Sequence, residues 1–328
     1  MKEYVSPLGA YETQKAIVLI KKLFQERLAE ELNLRRVSAP LFVTAESGVN
    51  DDLSGNEKPI SFNVPSVGEI QIVQSLAKWK RIALKRYDFH AGKGLYTDMN
   101  AIRPNEKPDR THSYYVDQWD WEKVITREQR TVEYLKATVK GIVRAICDVQ
   151  YAVFTIYPQL RYFISREVAF ITGDELLAMY PDKTAKEREY LFVKEHKTAF
   201  IMQIGKKLKN GEPHDTRAAD YDDWSLNGDI MVWNEVLGQP LELSSMGIRV
   251  DAESLRAQLA EAGHSDWESK TYHKMILNDE LPLTIGGGIG QSRLCMQILN
   301  KAHVGEVQVS VWDEETIKQC EAEGIKLL

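Results

Sequence analysis

Four glycines fall within five residues in the stretch Ile285-Gly286-Gly287-Gly288-Ile289-Gly290-Gln291-Ser292-Arg293, and no other stretch restricts the fold as strongly. Glycine loses more backbone entropy on folding than any other residue, so a run of it marks a place where side chains are not tolerated. From Leu283 to Leu299 the pattern predicts a strand, a glycine loop and a helix, and the helix start would offer N–H groups to an anion. Lys-Ser/Thr does not follow the last glycine, which excludes a Walker P-loop. No fitting βαβ unit surrounds the run, so it is a poor dinucleotide fingerprint too. Two readings stay open: a loop pressed against a ligand, or a tight strand-to-helix turn with Arg293 on the surface.

Around this landmark, helices and strands mix without regular βαβ alternation. Tyr11 to Leu34 reads as an amphipathic helix, with Ile17, Ile20, Phe24, Leu28 and Leu32 at three- and four-residue steps. Arg35 to Phe42 is strand-like, and Pro40 favours an edge or a strand end. A polar loop over Asn50–Lys58, a strand at Glu69–Val73 and a helix at Ser75–Arg86 follow. Ser113–Trp121 reads as a strand and Glu128–Phe154 as a long helix. Further strands are expected at Glu167–Ile171, Ala199–Ile204, Gly228–Trp233 and Leu241–Ser245, and helices at Asp251–Ala262 and Asp266–Leu277. The order favours an α+β fold around an antiparallel sheet over a doubly wound one.

The 328 residues carry a net charge of −6, which argues against a nucleic-acid partner because phosphate affinity comes mainly from clustered Lys and Arg. A small anionic ligand needs only a local cationic pocket. Cys147, Cys295 and Cys320 are far apart and form no CxxC, which fits a reducing compartment and neither a disulfide framework nor a zinc site. Met1 to Gln14 holds no apolar run, and Ala16–Ile20 is far short of a bilayer span. The expected location is cytoplasmic, with no membrane partner. The seven histidines show no HxxxH spacing and no GxSxG occurs, so neither a zinc hydrolase nor an esterase is expected.

Three further groups of residues bear on chemistry. Asp229 and Glu242 sit in strand-like apolar surroundings, where a buried charge is costly unless it meets a cation. They either face a Mg²⁺ bridged to phosphates or point outward into water. In Tyr115-Val116-Asp117-Gln118-Trp119-Asp120-Trp121-Glu122, a strand would put Gln118, Asp120 and Glu122 on one face. That face either holds an ammonium group or is solvated. Lys80 and Arg103 are ligand cations or ordinary surface charges, and Pro104 biases Arg103 to extended backbone.

At these residues the chain resembles the ammonia-dependent aspartate–ammonia ligases along nearly its whole length. The resemblance runs through Asp52-Leu53-Ser54-Gly55, Ser75 to Arg81, Gly94-Leu95-Tyr96-Thr97, Tyr115 to Glu122, Tyr221 to Ser225, Leu226 to Asp229, Glu242 to Asp251 and the glycine run. That family is similar to the catalytic core of class II aminoacyl-tRNA synthetases, nearest the aspartyl and asparaginyl enzymes. The resemblance implies an antiparallel sheet flanked by helices, a single catalytic domain over residues 1–328, and a homodimer built on the first helix and Pro40. It makes Arg103 the arginine on the α-phosphate of ATP and Arg293 the one that packs on adenine and reaches the triphosphate. Asp229 and Glu242 take the acidic metal-side positions for Mg²⁺. Gln74, Ser75, Lys80, Gln118, Asp120 and Arg249 match positions that hold aspartate, and Asp51, Asp222, Ser245 and Gly288 join the site. One departure is local: Pro104-Asn105-Glu106 follows Arg103, whereas the usual motif places its acid two residues after the arginine. No β-barrel for reading an anticodon precedes the core, which with the acidic charge speaks against tRNA as acceptor.

The expected reaction follows from that resemblance. The β-carboxylate of L-aspartate attacks the α-phosphate of ATP, pyrophosphate leaves, and ammonia attacks the resulting adenylate to give asparagine and AMP. Asp120 and Gln118 would hold the ammonium group, Lys80 and Arg249 a carboxylate, and Asp51 would deprotonate or orient the incoming ammonium. Lys2 follows Met1 and no cysteine lies in a glutaminase motif, so ammonia rather than glutamine is the expected nitrogen source. Two rivals are an adenylate former with another acceptor and a catalytically dead regulatory subunit. The second should have lost Arg103, Glu242 or Arg293, and all are present.

Overall fold

A computed structural model describes residues 4–51 and 58–328. The chain begins with helix α1 (Ala10–Leu32), strand β1 (Leu34–Arg36), β2 (Phe42–Thr44), β3 (Ser61–Val64), β4 (Gly68–Ile72) and helix α2 (Ala77–Arg86). Strands β5 (Gly94–Ile102) and β6 (Tyr115–Val124) lead into the long helix α3 (Val132–Ile156). Next come β7 (Ala169–Thr172), α4 (Gly173–Met179), α5 (Ala185–His196), β8 (Thr198–Met202), β9 (Asp222–Asn234), β10 (Gln239–Arg249), α6 (Ala252–Glu261) and α7 (Thr271–Leu277). The last elements are β11 (Thr284–Gly290), α8 (Gln291–Ile298) and α9 (Glu314–Ala322).

Eight of the described strands form one sheet in the order β1-β5-β6-β11-β10-β9-β8-β7. Only the outer pairs, β1 with β5 and β7 with β8, run parallel. A small antiparallel sheet, β2-β4-β3, stands apart. The alternation of β6 decides which face of the main sheet is oily. Trp119 and Trp121 are fully buried against α1 and α3, with Phe24 and Trp119 ring centroids 4.6 Å apart. Ile20, Phe24 and Leu28 of α1, Val139, Ile142 and Ile146 of α3, and Met246, Ile248, Ile285 and Ile289 of the sheet complete this core. Because successive side chains alternate, Gln118, Asp120 and Glu122 go to the opposite face.

Several expectations need correction. The glycines form no loop: Gly286 to Gly290 lie within β11, paired with β10 on one side and β6 on the other. None has a positive φ, so it is space and not backbone conformation that demands them. A Cβ on Gly286 would lie 2.6 Å from Glu122 Cδ and 2.7 Å from Arg249 Nη2; one on Gly288 would lie 2.8 Å from Gln118 Cδ. The α8 N-terminus is not offered to a ligand at Ser292, whose N–H donates to Asp117 Oδ1 at 3.0 Å. The stretch Arg35 to Phe42 is two short strands in different sheets. The single helix expected over Asp266–Leu277 is a 3₁₀ turn, Ser265–Ser269, separated from α7 by extended Lys270. The long helix starts at Val132, where the Thr131 hydroxyl accepts from Tyr134 N–H. The polar loop expected over Asn50–Lys58 lies mostly outside the described residues, as does Asp52-Leu53-Ser54-Gly55.

Candidate active site

The glycine strand makes a floor. With no side chains on this face of β11 from Gly286 to Gly290, the side chains of β6 and β10 reach across it from either side. Lys80, on α2, passes beneath to Asp120 Oδ1 at 2.5 Å and the Gly287 carbonyl at 3.1 Å, with Glu122 Oε2 at 3.9 Å. Arg249 donates through Nη2 and Nε to Glu122 and through Nη1 to Asp222 Oδ1 at 2.5 Å. Thr284 Oγ1 adds a bond to Glu122 at 2.7 Å. All five charged groups are buried. Burial raises the Glu122 carboxyl, but Arg249 and Lys80 hold it below its ordinary range. Asp222 goes the other way: burial and the neighbouring Glu122 charge outweigh Arg249. Both cations of the floor are thus already engaged by carboxylates.

Beside the floor opens a cavity of ≈ 360 Å³. Arg103 and Arg293 line it together with Gln118, Glu242, Ser245 and Gly288. Arg293 is held from two sides, donating to the Thr111 carbonyl at 3.3 Å and the Glu242 carbonyl at 3.2 Å, with Glu242 Oε2 at 3.7 Å. Arg103 donates through Nε to the Gln74 carbonyl at 3.4 Å and lines the cavity. Glu106, whose spacing departs from the synthetase motif, lines the same cavity.

Asp229 and Glu242 come close enough to repel. Asp229 is pushed up to about 7 by burial and by the Glu242 and Asp215 charges, against the pull of Arg217, while Arg293 and Arg217 keep Glu242 below its ordinary range despite burial. Asp229 pairs with Arg217 through Oδ2, and its Oδ1 is buried. Among the described residues no three carboxylate, His or Cys groups gather as a metal cage. Glu242 on the cavity wall, with Asp229 close behind it, still fits Mg²⁺, which binds through one or two carboxylates plus phosphate oxygens.

The structure therefore brings Lys80, Gln118, Asp120, Asp222, Ser245, Arg249 and Gly288 to the floor and Arg103, Glu242 and Arg293 to the adjoining cavity; Asp229 is buried behind its wall, paired with Arg217. Gln74 is buried behind Arg103, its Nε2 donating to the Asp51 carbonyl at 2.9 Å. Ser75 Oγ instead accepts from Ala77 N–H at the start of α2. Asp51 lines a neighbouring cavity, not the main one. Three participants are given no role by the sequence reading. Glu122 was seen on the right face but not as the partner of Arg249. Arg217 and Tyr221, which line the cavity, sit in an irregular segment with no periodicity to single them out.

Comparison with known proteins matches this geometry to a family. The sequence model of aspartate–ammonia ligases matches residues 11–324. The chain belongs to the aspartate–ammonia ligase family. It is 55% identical over 329 residues to the aspartate–ammonia ligase of Clostridium tetani, covering 100% of this chain and 96% of that one. It is 53% identical over 327 residues to that of Levilactobacillus brevis, covering 99% and 98%. Solved structures give the fold of this ligase-family chain. It superposes on Entamoeba histolytica asparaginyl-tRNA synthetase, solved in complex with asparaginyl-adenylate, with TM-score 0.64 at 12% identity, over 91% of this chain and 66% of that one. The Pyrococcus horikoshii asparaginyl-tRNA synthetase gives 0.62 at 15% identity, over 91% and 68%. The ligase-family fold is that of a class II aminoacyl-tRNA synthetase core, and the chain spans about two thirds of the length of those synthetases. No helix among the described residues is long and apolar enough to cross a membrane.

Proposed function

We propose that this chain makes L-asparagine from L-aspartate, ammonia and ATP through a β-aspartyl adenylate, releasing AMP and pyrophosphate. The observation that carries this reading is the junction of two differently charged sites. A cavity with Arg103 and Arg293 adjoins a floor where Lys80 and Arg249 lie beside Asp120, Glu122 and Asp222. The first suits a triphosphate. The second suits a small ligand that carries both signs of charge.

In this reading Gln118 and Asp120 accept hydrogen bonds from the α-ammonium of aspartate. Lys80 and Arg249, drawn partly from their present partners, hold a carboxylate. Gln74, Asp222, Ser245 and Gly288 shape the pocket, and Ser75 acts through the start of α2. The β-carboxylate oxygen bonds to the α-phosphorus as the bond to pyrophosphate breaks. Arg103 offsets charge on the α-phosphate and Arg293 on the triphosphate, a contribution of several kcal/mol when donors are preorganised. Asp229 and Glu242 would hold Mg²⁺, which would supply positive charge to offset that of the phosphates. Ammonia nitrogen then bonds to the acyl carbon, the carbon–oxygen bond to AMP breaks, and the surplus proton leaves nitrogen. The Asp51 carboxylate is the candidate acceptor for the proton of incoming ammonium.

We take residues 1–328 as one cytoplasmic catalytic domain that works as a homodimer. Exposed Tyr11 and Val18 on α1 and the exposed pair Phe42 and Phe62 of the small sheet give a pairing surface. The experiment that tests the function measures AMP and asparagine from aspartate, ATP, Mg²⁺ and ammonium, alongside aspartate-dependent exchange of labelled pyrophosphate into ATP. ADP and phosphate as products would refute the adenylate route.

A further inference from the structure

A second cavity of ≈ 220 Å³ adjoins the first, and one short segment, Thr216-Arg217-Ala218, with Thr216 exposed, lines both. Its inner end is buried and polar. Asp51 and Asp220 are 2% and 0% exposed, and Lys78 reaches Asp220 Oδ2 at 2.6 Å. His273 Nε2 lies 3.1 Å from the same oxygen, so this end is a fixed wall. The outer rim is formed by Ala262, His264 and Trp267, of which Ala262 is exposed. The Trp267 ring there already takes one ammonium group, with Lys270 Nζ 3.6 Å from its centroid.

The proposed reaction needs a second way in. Aspartate and ATP arrive together through the main cavity, and once joined, their adenylate occupies the space between Arg293 and the glycine floor. The anhydride must then be kept from water. A nitrogen nucleophile arriving afterwards cannot use the filled path. The rear cavity meets the aspartate side of the site, since Asp220, Tyr221 and Asp222 are consecutive: Asp220 lines the rear cavity, Tyr221 lines the main one, and Asp222 bonds Arg249. The Asp51 charge also reaches the Tyr221 phenol, which is pushed up by burial first and then by that carboxylate.

We infer that this rear cavity is the entry and holding site for ammonium, admitting it past Trp267 to Asp51 behind the Thr216–Ala218 segment. This rests on the adenylate reading above. The cavity takes a small cation or its neutral amine.

The test is to narrow the rim. Ala262 has φ −79° and ψ −6°, ordinary helical backbone, and lines only the rear cavity, so Ala262→Trp fills the mouth without touching the floor. The expected result is a rise of about tenfold or more in KM for ammonium, with pyrophosphate exchange within about twofold of wild type, because exchange reports only the first half-reaction. Hydroxylamine, a larger nucleophile, should lose more than ammonium, and Ala262→Ser should behave as wild type. Unchanged ammonium kinetics in Ala262→Trp would overturn the route, as would a parallel fall in exchange, which would make the rear cavity part of the aspartate–ATP site. Absence of exchange in the unaltered enzyme is a separate result, and it would take the adenylate reading and the route down together.

Discussion

Two alanine substitutions in β11, two residues apart and on the same face, should have opposite consequences. At Gly288 the added methyl would meet the end of the Gln118 side chain, 2.8 Å from its Cδ, where contacts under 3.0 Å do not occur. Gln118 is partly exposed and its amide can swing away, so the fold survives and only the substrate contact is lost. Losing a hydrogen bond to a charged group costs about 1.5–3 kcal/mol, or roughly 10- to 150-fold in kcat/KM for aspartate. At Gly286 the methyl would strike Glu122, which is fully buried and pinned by Arg249 and Thr284. Nothing there can move without breaking a buried ion pair, which costs about 3–5 kcal/mol. With about 2.1 cal/mol/K of unfolding entropy per residue, that lowers Tm by roughly 4–7 °C for a chain of this length. Steady-state kinetics and differential scanning calorimetry on the two variants separate the effects. The reasoning is wrong if Gly288→Ala keeps wild-type kcat/KM for aspartate, or if both variants lose equal stability.

Other expected outcomes concern separate parts of the molecule. Glu242→Gln should keep the fold yet lose about 10²–10³ in rate, the cost of removing one preorganised transition-state contact. Excess Mg²⁺ or Mn²⁺ should restore part of that loss, while the exposed Glu253→Gln should match wild type in kcat/KM for aspartate and for ATP. Ammonium should support turnover and glutamine should not, and glutamine-driven synthesis in ammonia-free buffer would falsify the nitrogen source. His303 is pushed down to about 4 by burial and then by Arg110, and its Nδ1 accepts from Gly305 N–H at 3.0 Å. Below pH 6.5 the unfolded chain therefore gains a proton that the native state refuses, so stability is full above that pH and falls as pH drops toward 4. Urea denaturation should show a loss on the order of 1–2 kcal/mol between pH 7 and 5 that His303→Gln removes.

Much of the scaffold could be read from the chain because periodicity reports which face is oily. The α1 stripe from Ile17 to Leu32 predicted a buried side, and the alternation of β6 put Gln118, Asp120 and Glu122 on one face; the stripe packs on the same core as Trp119 and Trp121 from the other face. Strand β5 gave no such signal: Gly94 to Ile102 is covered on both faces and mixes polar with apolar residues, so no period survives. The glycine run was legible as a place without side chains but not as a strand, because what crosses it, Gln118, Glu122 and Arg249, comes from neighbours distant in sequence. Pairing is invisible for the same reason. Nothing local links Lys80 to Asp120 or Arg249 to Glu122, and Arg217 meets Asp229 only through the folding of an irregular segment. The resemblance to a known family located residues whose periodicity said nothing, such as Arg103 and Ser245.

The self-paired floor has a consequence for selectivity. A site holding bare Lys80 and Arg249 would attract any dicarboxylate in the cell. Here each cation is already matched by a carboxylate of the protein, so an incoming anion gains only what it can outbid. Under the proposed roles, aspartate inserts as a zwitterion: its ammonium replaces Lys80 at Asp120 while its carboxylate takes the released cation. Binding is then an exchange of partners with little change in net charge, so KM for aspartate should vary weakly with salt. Succinate or malate offers no cation in return and would strand Asp120 as a buried, unmatched charge. The lock turns only for a molecule carrying both signs, and discrimination against abundant metabolites is set before any ATP is spent.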